Sequence, residues 1–129
     1  MHNDPFGRPG LRLSPIALGT ANFGQRWGHG ADAAESAAIF HAYAEAGGNV
    51  IDTADIYQFG QSEEILGELL AGRRDNFFLA TKYTNGAVPQ AGPLATGNSR
   101  RAMAASVDAS LRRLRTDRID LLWVQHPDG

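Results

Sequence analysis

Four residues of this chain combine side chains that chemistry uses with positions that chemistry favours. Asp52 follows Val50-Ile51, Lys82 follows the apolar run Phe77–Thr81, and His126 closes the run that starts at Ile119, so each stands at the end of a short apolar segment. Tyr57 follows Asp52 closely in the chain. Burying Asp52 or Lys82 alone would cost several kcal/mol, and the simplest remedy is to pair them with each other. The lysine is conspicuous for a second reason: of the 12 basic residues, 11 are Arg and Lys82 is the only Lys. Each residue taken singly has a plainer reading. A strand-end Asp caps the next turn, a lysine is solvated, and a His before Pro ends a strand with its ring satisfied. The four together favour chemistry over packing.

The elements that must position them are legible in the patterning. Residues 6–13 hold a Pro9-Gly10 turn between short segments and read as a small hairpin. Ile16-Ala17-Leu18, ended by Gly19-Thr20, suits a first buried strand, and residues 21–31 read as a loop. Asp32 with Glu35 resembles a capping box for a helix whose apolar face is Ile39, Ala42, Tyr43 and Ala46, ended by Gly47-Gly48. Val50-Ile51-Asp52 is a second strand. Ser62 is placed to cap a helix carrying Ile65, Leu66, Leu69 and Leu70, with Gly72 after it. Phe77–Thr81 is a third strand. Residues 84–98 form a loop long enough to be functional. Ser99 caps a third helix with Met103, Val107, Leu111 and Leu114 in one stripe, and Ile119–His126 is the last strand, stopped by Pro127.

The order β-α-β-α-β-α-β implies a parallel sheet with right-handed crossovers, its strands covered by helices. The carboxyl ends of such strands share one rim, where sites are built. Alternation puts residues 78, 80 and 82 on one face of their strand and 122, 124 and 126 on one face of theirs. Two architectures fit, an open doubly wound sheet and part of a (β/α)8 barrel. The dinucleotide fingerprint that usually marks the first is absent, because the first turn reads Gly19-Thr20-Ala21-Asn22-Phe23-Gly24.

The segment Asn49-Val50-Ile51-Asp52-Thr53-Ala54-Asp55-Ile56-Tyr57 resembles the Asp-Thr-Ala…Tyr signature of aldo-keto reductases. Gly60–Gly67, Ala80-Thr81-Lys82, Ser110–Leu114 leading into Ile119-Asp120-Leu121 and His126, and the N-terminal Leu11–Thr20 are similar to successive stretches of the same family. The resemblance implies the first half of a (β/α)8 TIM-type barrel, with an N-terminal hairpin, four strands and three helices, residues 1–129 forming one incomplete domain. It implies a catalytic tetrad of Asp52, Tyr57, Lys82 and His126 for NADPH-dependent reduction of an aldehyde or ketone. Tyr57 would be the general acid, Lys82 would stabilise its phenolate, Asp52 would hold Lys82, and His126 would orient the carbonyl oxygen. Gly19, Thr20 and Ala21, with Asp52 and Tyr57, would meet the nicotinamide end of the cofactor. Trp27, Tyr57 and His126 would line the pocket for a small carbonyl substrate. Gln58 departs from the family's pattern, in which Gly is common after the tyrosine.

Composition excludes other classes. A net charge of −2 gives no general affinity for nucleic acid, and the six arginines between Arg100 and Arg118 alternate with acidic and apolar residues as on a solvated helix. There is no cysteine, and His2, His29 and His41 lack metal-ligand spacing, so no metal site is expected. The polar N-terminus lacks a secretory pattern and no apolar run approaches membrane-spanning length, which predicts a cytoplasmic protein without membrane contact. A whole barrel needs roughly 250 residues, and the typical phosphate-binding loops follow its last strands. Most of the cofactor grip is therefore expected outside residues 1–129, and the open edges predict a homodimer or pairing with a missing C-terminal half. The alternative is a non-catalytic half-barrel, a regulatory or interaction module of aldo-keto reductase type.

Overall fold

The computed structural model describes residues 1–8 and 10–127. An antiparallel hairpin comes first, β1 (Asp4–Phe6) against β2 (Leu11–Leu13). Of the expected Pro9-Gly10 turn, Pro9 lies outside the described residues. Four parallel strands follow, β3 (Leu18–Gly19), β4 (Val50–Asp52), β5 (Phe78–Tyr83) and β6 (Leu121–Val124), joined in the order β3-β4-β5-β6. The crossovers carry α1 (Ala33–Glu45), α2 (Gln61–Leu69) and α3 (Arg100–Leu114). Among the described residues no helix is long and apolar enough to cross a membrane.

Strand order decides between the two architectures. A doubly wound sheet reverses direction at its first strand and carries helices on both faces. Here the order is sequential, and right-handed crossovers then put every helix on the same side. Ile51 and Leu79 are fully buried on that side, packed in one core with Phe40, Leu66, Leu70 and Leu114. The alternate residues Val50, Phe78, Ala80, Leu121 and Trp123 line an open groove of ≈ 400 Å³ on the opposite face. This is an arc of a barrel wall with its inner surface uncovered. Phe6 of the hairpin touches Phe78 across that surface, ring centroids 6.1 Å apart.

Several local expectations shift. Asp32 does cap α1, its side chain accepting from Glu35 N–H at 2.8 Å. The buried face of α1, however, is Ser36 and Phe40 with Tyr43 and Ala44 partly buried, while Ile39 is 46% exposed. Ser62 does not cap α2. A short 3₁₀ turn, Tyr57–Gly60, leads directly into that helix and Gly60 takes the cap position, φ +90°. Ser62 instead buries its hydroxyl between Thr20 and Thr53. The first strand is shorter than Ile16–Leu18 suggests, and Ile16 is exposed. Strand β5 runs further than expected and contains Lys82, and β6 is shorter than Ile119–His126. The reason at its start is Asp120, whose Oδ2 accepts from Leu79 N–H and from Arg74 Nη2, both at 2.8 Å, and so pins the chain before the ladder begins. Ser99 caps α3 as expected, accepting from Ala102 N–H.

One ionic knot fastens the outer layer. Glu63 on α2 is fully buried and accepts from Thr81 Oγ1 at 2.8 Å, Ser110 Oγ at 3.1 Å and Arg113 Nε at 2.8 Å. Strand β5, helix α2 and helix α3 thus meet on one carboxylate. Gly67 permits the approach, since a Cβ there would lie 2.4 Å from the Arg113 carbonyl oxygen. Removing one partner of such a pair strands the other charge in the interior. Arg113→Met should lower stability by about 3–5 kcal/mol, read as a fall in the urea midpoint; a midpoint within error of the unsubstituted protein would contradict this role.

Candidate active site

Strand β4 delivers Asp52 and the turn after it delivers Tyr57. That turn is tied to the sheet from both ends. Thr53 N–H donates to the Ala80 carbonyl at 2.9 Å, and Asp55 N–H donates to the Lys82 carbonyl at 3.2 Å. Parallel pairing sets Asp52 beside Ala80, and Lys82 lies one alternation further along the same face. Its ammonium then reaches three acceptors: Asp52 Oδ2 at 2.9 Å, the Thr53 carbonyl at 3.0 Å and the Tyr57 hydroxyl oxygen at 3.0 Å. An ammonium has three N–H donors, so this set satisfies it completely. The Lys82 side chain is 16% exposed and its ion pair with Asp52 is screened from water on most sides. Because Lys82 donates to the Tyr57 oxygen, the phenolic hydrogen of Tyr57 is left to point elsewhere.

Loop 21–31 closes over this group through Gln58. That residue adopts left-handed backbone angles, φ +52°, and is fully buried. Its Oε1 accepts from Trp27 N–H at 2.8 Å and its Nε2 donates to the Ala21 carbonyl at 3.1 Å. The departure from glycine noted at this position therefore supplies the clasp that holds the loop. The clasp sets Trp27 edge-on to Tyr57, centroids 6.3 Å apart at 86°, and edge-on to Phe59 at the same distance. Trp27, expected as a wall of the substrate pocket, thus stands against the Tyr57 ring.

Gly19, Thr20 and Ala21 line a cleft of ≈ 410 Å³ with Tyr57. Thr20 is fully buried: its hydroxyl and its N–H both donate to the Asp52 carbonyl, and its carbonyl accepts from Phe23 N–H and Ser62 Oγ, so its polar groups shape the cleft wall from behind. Nothing lies within 4 Å of a Cβ built on Gly19, which leaves a flat ring room to rest against β3 beside Tyr57. The cleft lining contains no Arg or Lys to meet a phosphate. This is the cleft expected to meet the nicotinamide end of a cofactor, and a diphosphate would find no basic partner in its lining.

His126 requires a correction. Lys82 pairs with Trp123 and Tyr83 with Val124. Partners in a parallel pair point to the same side, so the face of Lys82 carries Leu121 and Trp123, as their shared groove with Phe78 and Ala80 confirms. Residues 122, 124 and 126 fall on the other parity. The ladder extends one step beyond β6, Gln125 N–H donating to the Tyr83 carbonyl at 3.1 Å, and the inward position there belongs to Gln125. His126 is exposed, and its recorded contact is through its backbone carbonyl, which accepts from Asn98 Nδ2 at 2.8 Å. The structure therefore joins Asp52, Tyr57 and Lys82 and leaves the His126 ring outside their hydrogen-bonded group. Tyr83 is buried and packs. No cluster of metal-ligating side chains occurs among the described residues.

Asp55, in the same turn, is 1% exposed, and burial pushes its carboxyl up to about 6, aided by the nearby Glu63 charge and opposed by Arg113. Its Oδ1 has no hydrogen-bond partner among the described residues. A carboxyl whose folded value is raised binds its proton more tightly in the folded state. Its stabilising effect is present below pH ~4 and fades as pH rises through about 6. Asp55→Asn should therefore gain roughly 2 kcal/mol over the unsubstituted protein at pH 7–8 and little at pH 4, measured by urea unfolding across pH. An equal difference at both pH values would contradict the buried-carboxyl account.

The family model for the aldo/keto reductase family matches residues 15–129. The chain is 46% identical over 125 residues to the norsolorinic acid reductase stcV of Emericella nidulans, covering 89% of this chain and 32% of that protein. It is 42% identical over 132 residues to an aryl-alcohol dehydrogenase [NADP(+)] of Phanerodontia chrysosporium, covering 92% and 34%. Among solved structures, the aldo-keto reductase AKR11C1 from Bacillus halodurans in its holo form superposes with a TM-score of 0.80 at 33% identity, over 95% of this chain and 39% of that one. The chain thus spans about a third of the length of the curated relatives it matches.

Proposed function

Starting from a chain that belongs to the aldo/keto reductase family, we propose that it carries the proton-transfer side of an NADPH-dependent reduction of a small aldehyde or ketone. The observation that supports this most is the direction of one hydrogen bond. Lys82 donates to the Tyr57 oxygen at 3.0 Å, so the Tyr57 O–H is free to donate to a substrate oxygen. The cofactor, when bound along Gly19 to Ala21, supplies a hydride to the carbonyl carbon. The electron pair of the C=O bond moves to oxygen, and the Tyr57 O–H bond breaks as its proton passes to that oxygen. The phenolate that remains faces the Lys82 ammonium, whose charge stabilises it where it forms. Asp52, 2.9 Å away, holds the ammonium aimed at Tyr57. Solvent returns the proton to Tyr57 after the alcohol leaves. Trp27, held by Gln58, gives the pocket an aromatic wall suited to an aryl carbonyl compound.

In an NADPH-linked assay of benzaldehyde reduction, Tyr57→Phe and Lys82→Met should each lower the rate at least ~10²-fold, the usual scale for acid–base groups. Near-normal turnover by either variant would remove the assignment.

A second reading is favoured by the cleft that lacks a basic residue for the phosphates. On that reading residues 1–129 act as a non-catalytic half-barrel that completes, or is completed by, another chain or segment. A fluorescence titration with NADPH separates the two. Saturable binding by this chain supports the reductase, and no binding up to about 1 mM, the upper end of ordinary KM values, supports the module.

A further inference from the structure

We propose that Gln125, and not His126, holds the reacting oxygen of the substrate. The proposal rests on the reductase reading above and assigns a further substrate contact to that site. Three observations on β6 carry it. First, the register sets Trp123 beside Lys82, so Gln125 occupies the same inward face one alternation nearer the carboxyl rim. Second, the Gln125 N–H still bonds to the Tyr83 carbonyl at 3.1 Å, so its backbone is fixed by the sheet. Third, its carboxamide is idle. Oε1 is buried without a hydrogen-bond partner among the described residues. Buried polar atoms without partners are rare in folded proteins and call for an explanation.

A position two residues beyond Trp123 lies about 6.6 Å further toward the rim, at about 3.3 Å per residue, and adjacent strands are about 4.8 Å apart. That puts the Gln125 side chain above Lys82, on the side from which a carbonyl compound would approach Tyr57. A ligand oxygen there completes what the chain leaves open. With Oε1 turned inward, Nε2–H is the end that donates to the oxygen of a carbonyl compound. A half-turn of the carboxamide brings Oε1 out to accept from the O–H of an alcohol instead, and no existing hydrogen bond resists that turn. The same group thus serves both partners of the reaction. Being a neutral amide, it adds no charge at the oxygen and does not titrate. The cation that meets developing negative charge is then Lys82, acting through Tyr57. His126, on the opposite parity and exposed, has no part in this contact.

The test uses the ¹⁵N-labelled protein titrated with benzaldehyde, followed by tryptophan emission and by the side-chain amide signals. The Gln125 amide pair is identified by its disappearance in Gln125→Ala. It should shift on saturation, and Gln125→Ala and the similarly shaped Gln125→Met should weaken benzaldehyde binding roughly five- to tenfold, the scale of one hydrogen bond. His126→Ala should bind as the unsubstituted protein does. If binding saturates and Tyr57→Phe weakens it while both Gln125 variants bind normally, the Gln125 role is overturned and the reductase reading stands. Weakening by His126→Ala alone would likewise overturn it. If benzaldehyde fails to saturate the unsubstituted protein, the reductase reading falls and the Gln125 role falls with it.

Discussion

A lysine ammonium that leaves bulk water must find an acceptor for every N–H it brings, and the architecture around Lys82 answers that demand. Its three acceptors come from one short stretch of chain, the Asp52 carboxylate, the Thr53 carbonyl and the Tyr57 hydroxyl. They converge only if β4 and β5 pair in their observed register, since a slip by one residue would turn Lys82 away from Asp52. The turn from Thr53 to Tyr57 must also stay pressed against β5, which the Thr53 and Asp55 backbone bonds secure. Function and strand register are therefore one constraint in this region, because the cation that would support Tyr57 is also the group that cannot tolerate misalignment.

The layers outside the sheet fix that register at a distance. The hydroxyls of Thr20, Thr53 and Ser62 form a buried chain joining β3, the turn after β4 and α2. Glu63 gathers β5 and α3 through Thr81, Ser110 and Arg113. These contacts sit on the helix side of the sheet, and the Asp52–Tyr57–Lys82 group sits at its rim, so a polar framework on one face aims side chains on the other. The inner face has no such cover. Trp123 is 50% exposed and the groove beside it is open.

How much of this was legible depended on whether a residue's meaning was local. Lys82 stood out because the chain otherwise uses Arg, and desolvation alone argued for its pairing with Asp52. The caps at Asp32 and Ser99 were readable because a cap needs only the following turn. Ser62 had the right residue type for a cap, but tertiary hydroxyl partners claimed it. Glu63 and Arg113 lie in stretches that resemble the family, but nothing local shows that residues on these two helices pair. The clearest failure lay in β6. Alternation tells which residues share a face and never which face it is. Only the partner strand decides that, and pairing Lys82 with Trp123 turned Gln125 inward where His126 had been expected.

The single lysine makes the central claim directly measurable. Protein labelled with ¹⁵N only at lysine carries one Nζ signal, that of Lys82. An ammonium held by Asp52, Thr53 and Tyr57 predicts slowly exchanging Nζ protons and a resonance displaced from that of free lysine. Asp52→Asn and Tyr57→Phe should each move it. A signal in rapid exchange, at the free-lysine position and indifferent to both substitutions, would contradict the account.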